Sequence, residues 1–298
     1  MGGHGRYMEQ SKSLVLPDGL ALAYRIRYAT PPAGRLIVLL HGMASNLTRW
    51  SEFVEHTELA RDWDILRLDL RGHGGSFTRR AIGMRVWCDD LARLLAAEGY
   101  ARAVLVGHSL GAHVALEFAA SHPQRVAGLV LIDPALRPTL RGKLRWLARL
   151  RFVLKLGVWL VRGLNAVGIR RRTIPLRDLR ALDDAVRREL LDAGNAAAFV
   201  RRYSSIRTDL RFFATAHFLQ EGYDMLRPLP PLQAITAPVL VLLSSGVTYT
   251  DTTRTRQALG QLAHVEMKTI DAYHWPLTER PREVRDAIEQ WCRTQLDA

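Results

Sequence analysis

Ser109 is the residue with the plainest chemical potential. It stands at the centre of Gly107-His108-Ser109-Leu110-Gly111, between the apolar run Ala103-Val104-Leu105-Val106 and an Ala- and Leu-rich stretch, 112–120, of helical length. Strand, tight turn and helix in that order put the serine on strained backbone with its hydroxyl clear of a sheet edge. Side chains two residues to either side would collide there, so glycine at both flanks fits the turn. The helix begins at the serine, so the N–H of Leu110 and the positive end of the helix dipole face any negative charge that develops on the group under attack. A serine hydroxyl is a poor nucleophile at neutral pH and needs an imidazole to take its proton. Of ten histidines, His274 alone follows the last expected strand, 265–270, on a short loop at the same edge.

Those residues need a sheet to hold them. Continuous apolar runs of strand length at 35–40, 103–106, 126–132 and 238–243 suit parallel strands covered on both faces. Residues 12–27 read as an edge hairpin turned by Pro17-Asp18-Gly19, 63–69 as a further strand, and 84–98 as an amphipathic helix closed by Gly99. The run 35–40 opens into His41-Gly42-Met43-Ala44-Ser45-Asn46, a loop at the carboxyl edge where open α/β folds bind ligands. The N–H of Met43 there is a candidate second oxyanion donor, and His41 reads as a hydrogen-bonding residue that shapes the loop. Asp133 ends the strand 126–132 on the edge that carries Ser109. Three glycines in Gly72-His73-Gly74-Gly75 mark a tight loop with neither Gly-Lys-Ser/Thr nor dinucleotide spacing, which argues against a phosphate cradle. His108 and His113 are placed for packing and helix surface.

Charge divides the chain. Of its net charge of +13, a net +12 falls between residues 136 and 235, where 20 Lys/Arg meet 8 Asp/Glu. That concentration predicts a separate basic helical insertion, 136–235, in a core formed by 1–135 and 236–298. Within it Leu147, Leu150, Leu154, Val158 and Val161 repeat at helical spacing across 140–164, with Arg141, Arg145 and Arg149 on another face. The segment is too interrupted by charge to span a bilayer. A cap helix with a solvated basic face is the favoured reading, and weak contact with an anionic membrane the other. Cys88 and Cys292 read as free thiols, and no metal set, cofactor motif or nucleic-acid motif is visible. The N-terminal stretch MGGHGRYMEQSKS lacks the apolar core of a secretion signal, and Arg6 stands where a myristoylation signal would want Ser or Thr; a cytoplasmic protein is expected.

The order of these parts resembles the α/β-hydrolase fold superfamily over nearly the whole chain. HGMASN, DLRGHGGS, GHSLGA, the insertion after VLIDPA, and YHWPLTERP carry the resemblance. It implies a mostly parallel sheet with flanking helices and a helical cap, with Ser109 as nucleophile and His274 as general base. The commonest pattern in the superfamily puts the acid in the loop after strand 238–243, near Val247 or Tyr249, and neither is a carboxylate. Asp251 is the nearest acid, at a position that also suits a helix N-cap. A subset that includes some haloalkane dehalogenases and the zearalenone lactone hydrolases carries its acid where Asp133 stands, and Asp133 is the favoured third member. The implied activity is cofactor-independent hydrolysis of a small carboxylic ester or lactone, with Met43 and Leu110 N–H groups as the oxyanion hole. Thioester, amide or carbon–carbon bond hydrolysis, and a non-catalytic protein that binds a ligand or anionic surface, are the alternatives.

Overall fold

A computed structural model describes residues 9–191, 194–246 and 249–296. Residues 1–8 of the N-terminal stretch, Arg6 among them, and Val247 lie outside the described residues, as does the side chain of Leu147. Eight strands form one sheet: β1 (Gln10–Val15), β2 (Ala21–Arg27), β3 (Leu36–Leu40), β4 (Asp64–Leu68), β5 (Ala103–His108), β6 (Val126–Ile132), β7 (Val239–Ser244) and β8 (Val265–Ile270). Their order is β1-β2-β4-β3-β5-β6-β7-β8. The β1–β2 and β2–β4 pairs are antiparallel and every other pair is parallel.

The central strands are apolar throughout because both faces of the sheet are covered. Leu36, Val38 and Leu40 of β3 and Ala103 and Leu105 of β5 join one core with Trp87 and Leu91 of α2 (Met84–Ala97) and Phe118 of α3 (Leu110–Ser121). The alternate residues Ile37, Leu39, Val104 and Val106 join the opposite core with Phe53 of α1 (Ser51–His56) and with Ile288 and Trp291 of the C-terminal helix, Pro281–Gln295. Cys88 and Cys292 are buried in these cores, one on each side.

Between β6 and β7 the chain runs through α4 (Gly142–Arg149), α5 (Arg151–Ala166), α6 (Leu179–Val186), α7 (Ala196–Tyr203), α8 (Ile206–Phe212) and α9 (Thr215–Met225). After β7 come α10 (Thr252–Leu259), α11 (Pro276–Glu279) and α12 (Pro281–Gln295). The single helix expected over 140–164 is two. Leu150 leaves helical geometry, with φ −100° and ψ 23°, and divides α4 from α5. Among the described residues no helix is long and apolar enough to cross a membrane.

Candidate active site

Register decides which side chains meet. In the parallel β5–β6 ladder His108 lies opposite Ile132, and in β6–β7 Ile132 lies opposite Leu242. The ladder runs one residue further at each strand end, with Ser109 N–H donating to Ile132 O at 3.0 Å and Asp133 N–H donating to Leu242 O at 2.8 Å. Ser109 and Asp133 therefore leave adjacent strands side by side. Both hold positive φ, 50° and 41°, which for non-glycine residues costs on the order of 1–3 kcal/mol each. Close packing around the turn explains its glycines. A Cβ on Gly111 would lie 2.2 Å from Leu40 O, and one on Gly107 2.4 Å from the carbonyl carbon of Gly111.

His274 closes the set from the loop after β8. Its Nδ1–H donates to Asp133 Oδ2, leaving Nε2 to accept from Ser109 Oγ at 3.3 Å. All three side chains are buried. Asp133 Oδ1 also accepts from Ser244 N–H at 3.3 Å. Burial pushes the Asp133 carboxyl upward, but the adjacent imidazole and the two donors outweigh it and hold it below the ordinary value, so the carboxylate is the stable form. Asp251 does something else: its carboxylate caps α10, accepting from Arg254 N–H at 3.1 Å. Tyr249, in the loop where an acid is commoner, meets the His274 ring edge-on with centroids 4.9 Å apart.

Met43 lies in the loop after β3, beside Gly42, where a Cβ would stand 3.4 Å from Ser109 Cβ. Leu110 is the first residue of α3, so its N–H is one of those a helix start leaves without an intrahelical acceptor. His41 takes the shaping role expected of it. Its Nε2 accepts from Leu70 N–H at 3.1 Å, its Nδ1–H donates to Gly42 O at 2.9 Å, and burial lowers its pKa well below the ordinary value. The glycine-rich loop wraps a carboxylate of the chain itself: Asp69 accepts from Gly75 N–H and from Leu47 N–H, both at 2.7 Å.

Ser109, His274 and Met43 open into a cavity of about 300 Å³ between the sheet edge and the inserted helices. Its walls are mostly apolar, with Leu140, Leu154, Phe218, Met225 and Leu226 from the insertion and Trp275 from the core. Arg49, Ser204 and Asp209 supply the polar side. Burial raises Asp209 to about 6, against the opposing pull of the Arg177 guanidinium 3.6 Å away. Among the described residues no group of three or more His, Cys, Asp or Glu side chains converges as metal ligands would.

Residues 35–281 match the sequence model of the family described as the alpha/beta hydrolase fold. The chain belongs to the α/β-hydrolase fold family. An uncharacterized protein of Mycobacterium tuberculosis is 36% identical over 111 residues, which are 37% of this α/β-hydrolase and 32% of that protein, so the match spans about a third of each. The sn-1-specific diacylglycerol lipase ABHD11 of Mus musculus is 23% identical over 262 residues, 87% of this chain and 80% of that one. Among solved structures, the enol-lactonase from Burkholderia xenovorans LB400 superposes with a TM-score of 0.67 at 20% identity, covering 94% of this chain and 98% of the other. That last likeness is one of fold.

Several residues outside the expected catalytic set support the site, Glu279 and His108 from within YHWPLTERP and GHSLGA and the others from outside any motif. The Glu279 carboxylate accepts from Tyr273 N–H at 2.9 Å and Trp275 N–H at 3.0 Å, clamping the backbone on both sides of His274. His108 Nε2–H donates to His274 O at 2.9 Å, and burial holds that imidazole down to about 3, so it is neutral. His113 is buried, not on the helix surface as expected, and donates to Ala135 O at 2.9 Å beside the loop of Asp133. From α9, Glu221 Oε2 accepts from Ala44 N–H at 3.1 Å, next to Met43, where Ala44 holds φ at 50°. Its other oxygen lies 3.0 Å from His73 Nε2, within ion-pair distance but not aligned for a hydrogen bond.

Proposed function

We propose that this α/β-hydrolase is a serine hydrolase that cleaves a small carboxylic ester or lactone through an acyl-enzyme. The observation that carries the reading is the hydrogen-bonded chain from Asp133 through His274 to Ser109 at the floor of a mostly apolar cavity. Asp133 holds the imidazole with Nδ1 protonated, so Nε2 is free to take the Ser109 proton as Oγ attacks the carbonyl carbon. The negative charge moves to the carbonyl oxygen, where the N–H groups of Met43 and Leu110 receive it. The imidazolium then gives its proton to the departing alkoxide. Water enters, loses a proton to His274, and releases the acid as Ser109 is reprotonated.

The helices of residues 136–235 act as a cap. They provide most of the apolar wall, and a cavity of about 300 Å³ suits a small molecule. Excluding water there strengthens each hydrogen bond to the developing charge.

Steady-state and rapid-mixing kinetics on short and medium p-nitrophenyl esters test this. A burst of p-nitrophenol stoichiometric with enzyme is expected, with turnover in Ser109→Ala reduced at least roughly 10⁴-fold. Unchanged hydrolysis in Ser109→Ala would sink the proposal.

A further inference from the structure

The helix α5 carries a narrow polar stripe of Arg151, Lys155, Arg162 and Asn165 and is apolar around the rest of its circumference, of which only part is covered. Inward, Leu154, Gly157, Val158 and Val161 face the rest of the insertion, with Leu154 lining the cavity and Gly157 against Leu219 of α9. Outward, over a little more than two turns, stand Phe152, Leu156, Trp159 and Leu160, which are 56–72% exposed, with Lys155 as the one charged group among them. Trp146 of α4, 67% exposed, extends the face. The apolar face of an amphipathic helix is ordinarily turned to the core, and large exposed apolar patches rimmed by polar groups mark contact surfaces.

The charge around the face decides what covers it. From residue 141 to 172 there are ten Lys/Arg and no Asp or Glu. Arg145 and Arg149 are exposed beside Trp146, with the Arg149 guanidinium 5.3 Å from its ring centroid, and Arg170 and Arg172 are exposed beyond the other end of α5. A second copy packed across a two-fold axis would bring this uniformly basic rim against itself. An anionic lipid surface complements it: aliphatic and Phe side chains enter the acyl boundary, Trp sits at headgroup level, and Arg and Lys meet phosphates and carboxylates.

We propose that α5 and the adjoining end of α4 form a membrane-docking surface on which the protein rests against an anionic bilayer. The helix lies in the interface plane, since its 16 residues give about 24 Å of length and it carries charge at both ends. The inner side of the same helix walls the cavity, so docking places the cap between the bilayer and Ser109. The proposal stands apart from the hydrolase reading, because binding is measured without turnover.

Flotation of the full chain with vesicles of pure phosphatidylcholine, and of phosphatidylcholine with one-third phosphatidylglycerol, tests it at low and high salt. Expected is co-flotation with the anionic vesicles only, accompanied by a blue shift in tryptophan emission and weakened at least tenfold by raising the salt from about 0.1 to 0.5 M. The double variant Leu156→Gln, Trp159→Gln changes only exposed positions and is expected to lose binding at least tenfold at an unchanged melting temperature. Three results would overturn the inference: equal behaviour with neutral and anionic vesicles, binding that survives the double variant, or a dimer in sedimentation that the double variant dissociates while neither protein floats.

Discussion

Asp133 and Asp251 show how far a carboxylate's role can be read without coordinates. Each stands where a site residue could, one at a strand end and the other near a helix start, and each position has an ordinary structural use. Hydrogen-bond partners separate them: Asp133 receives His274 Nδ1–H and Ser244 N–H, and Asp251 receives Arg254 N–H. Asp133→Asn keeps the shape but favours the wrong imidazole tautomer, so kcat on a p-nitrophenyl ester should fall roughly 10³–10⁴-fold. Asp251→Ala should leave kcat unchanged and cost about 1 kcal/mol of stability in denaturant unfolding, as a lost N-cap does. Asp209 gives a pH signature of its own. Its folded value of about 6 lies above the ordinary 3.8, so its contribution to stability is full below that ordinary value and is lost as pH rises through about 6. The melting temperature of the wild type should therefore fall relative to Asp209→Asn between about pH 4 and pH 6. A parallel pair of curves would contradict this.

The sheet was legible because its central strands are buried on both faces. Runs such as Leu36-Ile37-Val38-Leu39-Leu40 need no partner to be recognised, and the glycines of the Ser109 turn declare a close backbone approach, where a Cβ on Gly111 would stand 2.2 Å from Leu40 O. Gly111→Ala should consequently give no folded protein, read as loss of soluble expression or of a cooperative melt. Helix partnerships were not legible. Glu221 is one charged residue on a helix in the sequence, and its acceptance of Ala44 N–H joins positions 177 residues apart. The same helix thus holds the loop that presents Met43. Glu221→Gln should lower kcat more than it raises KM, and should destabilise the protein by about 3 kcal/mol as a broken buried pair does. Burial lowers the His73 pKa, but the Glu221 carboxylate more than offsets this and the net direction is upward. The stability gained from that raised value is full below about pH 6.5 and is lost as pH rises through the folded value, so the destabilisation in Glu221→Gln should be largest on the acid side. A constant difference across pH would show that the pair does not titrate. The break at Leu150 was equally hidden, since the apolar spacing continues across it.

Taken whole, the chain places a fixed sheet edge beneath a basic set of helices that differ from it in composition and in how they are covered. The core is sealed on both sides, and the insertion leaves Trp146, Phe152 and Trp159 in solvent. Charge set residues 136–235 apart in the sequence, but the apolar outer face of α5 emerged only from the folded arrangement, because periodicity shows that a helix has an apolar stripe and not which stripe is covered. The most direct measurement of the central claim is covalent capture. The protein is treated with a fluorophosphonate and its intact mass and peptides are determined for wild type, Ser109→Ala and His274→Ala. One phosphonyl group on Ser109 in the wild type is expected, with none on the Ser109→Ala variant and labelling of His274→Ala slowed by at least roughly 10³-fold. Ester hydrolysis by a protein that takes no label at Ser109, or that labels equally fast without His274, would contradict the assignment of nucleophile and base.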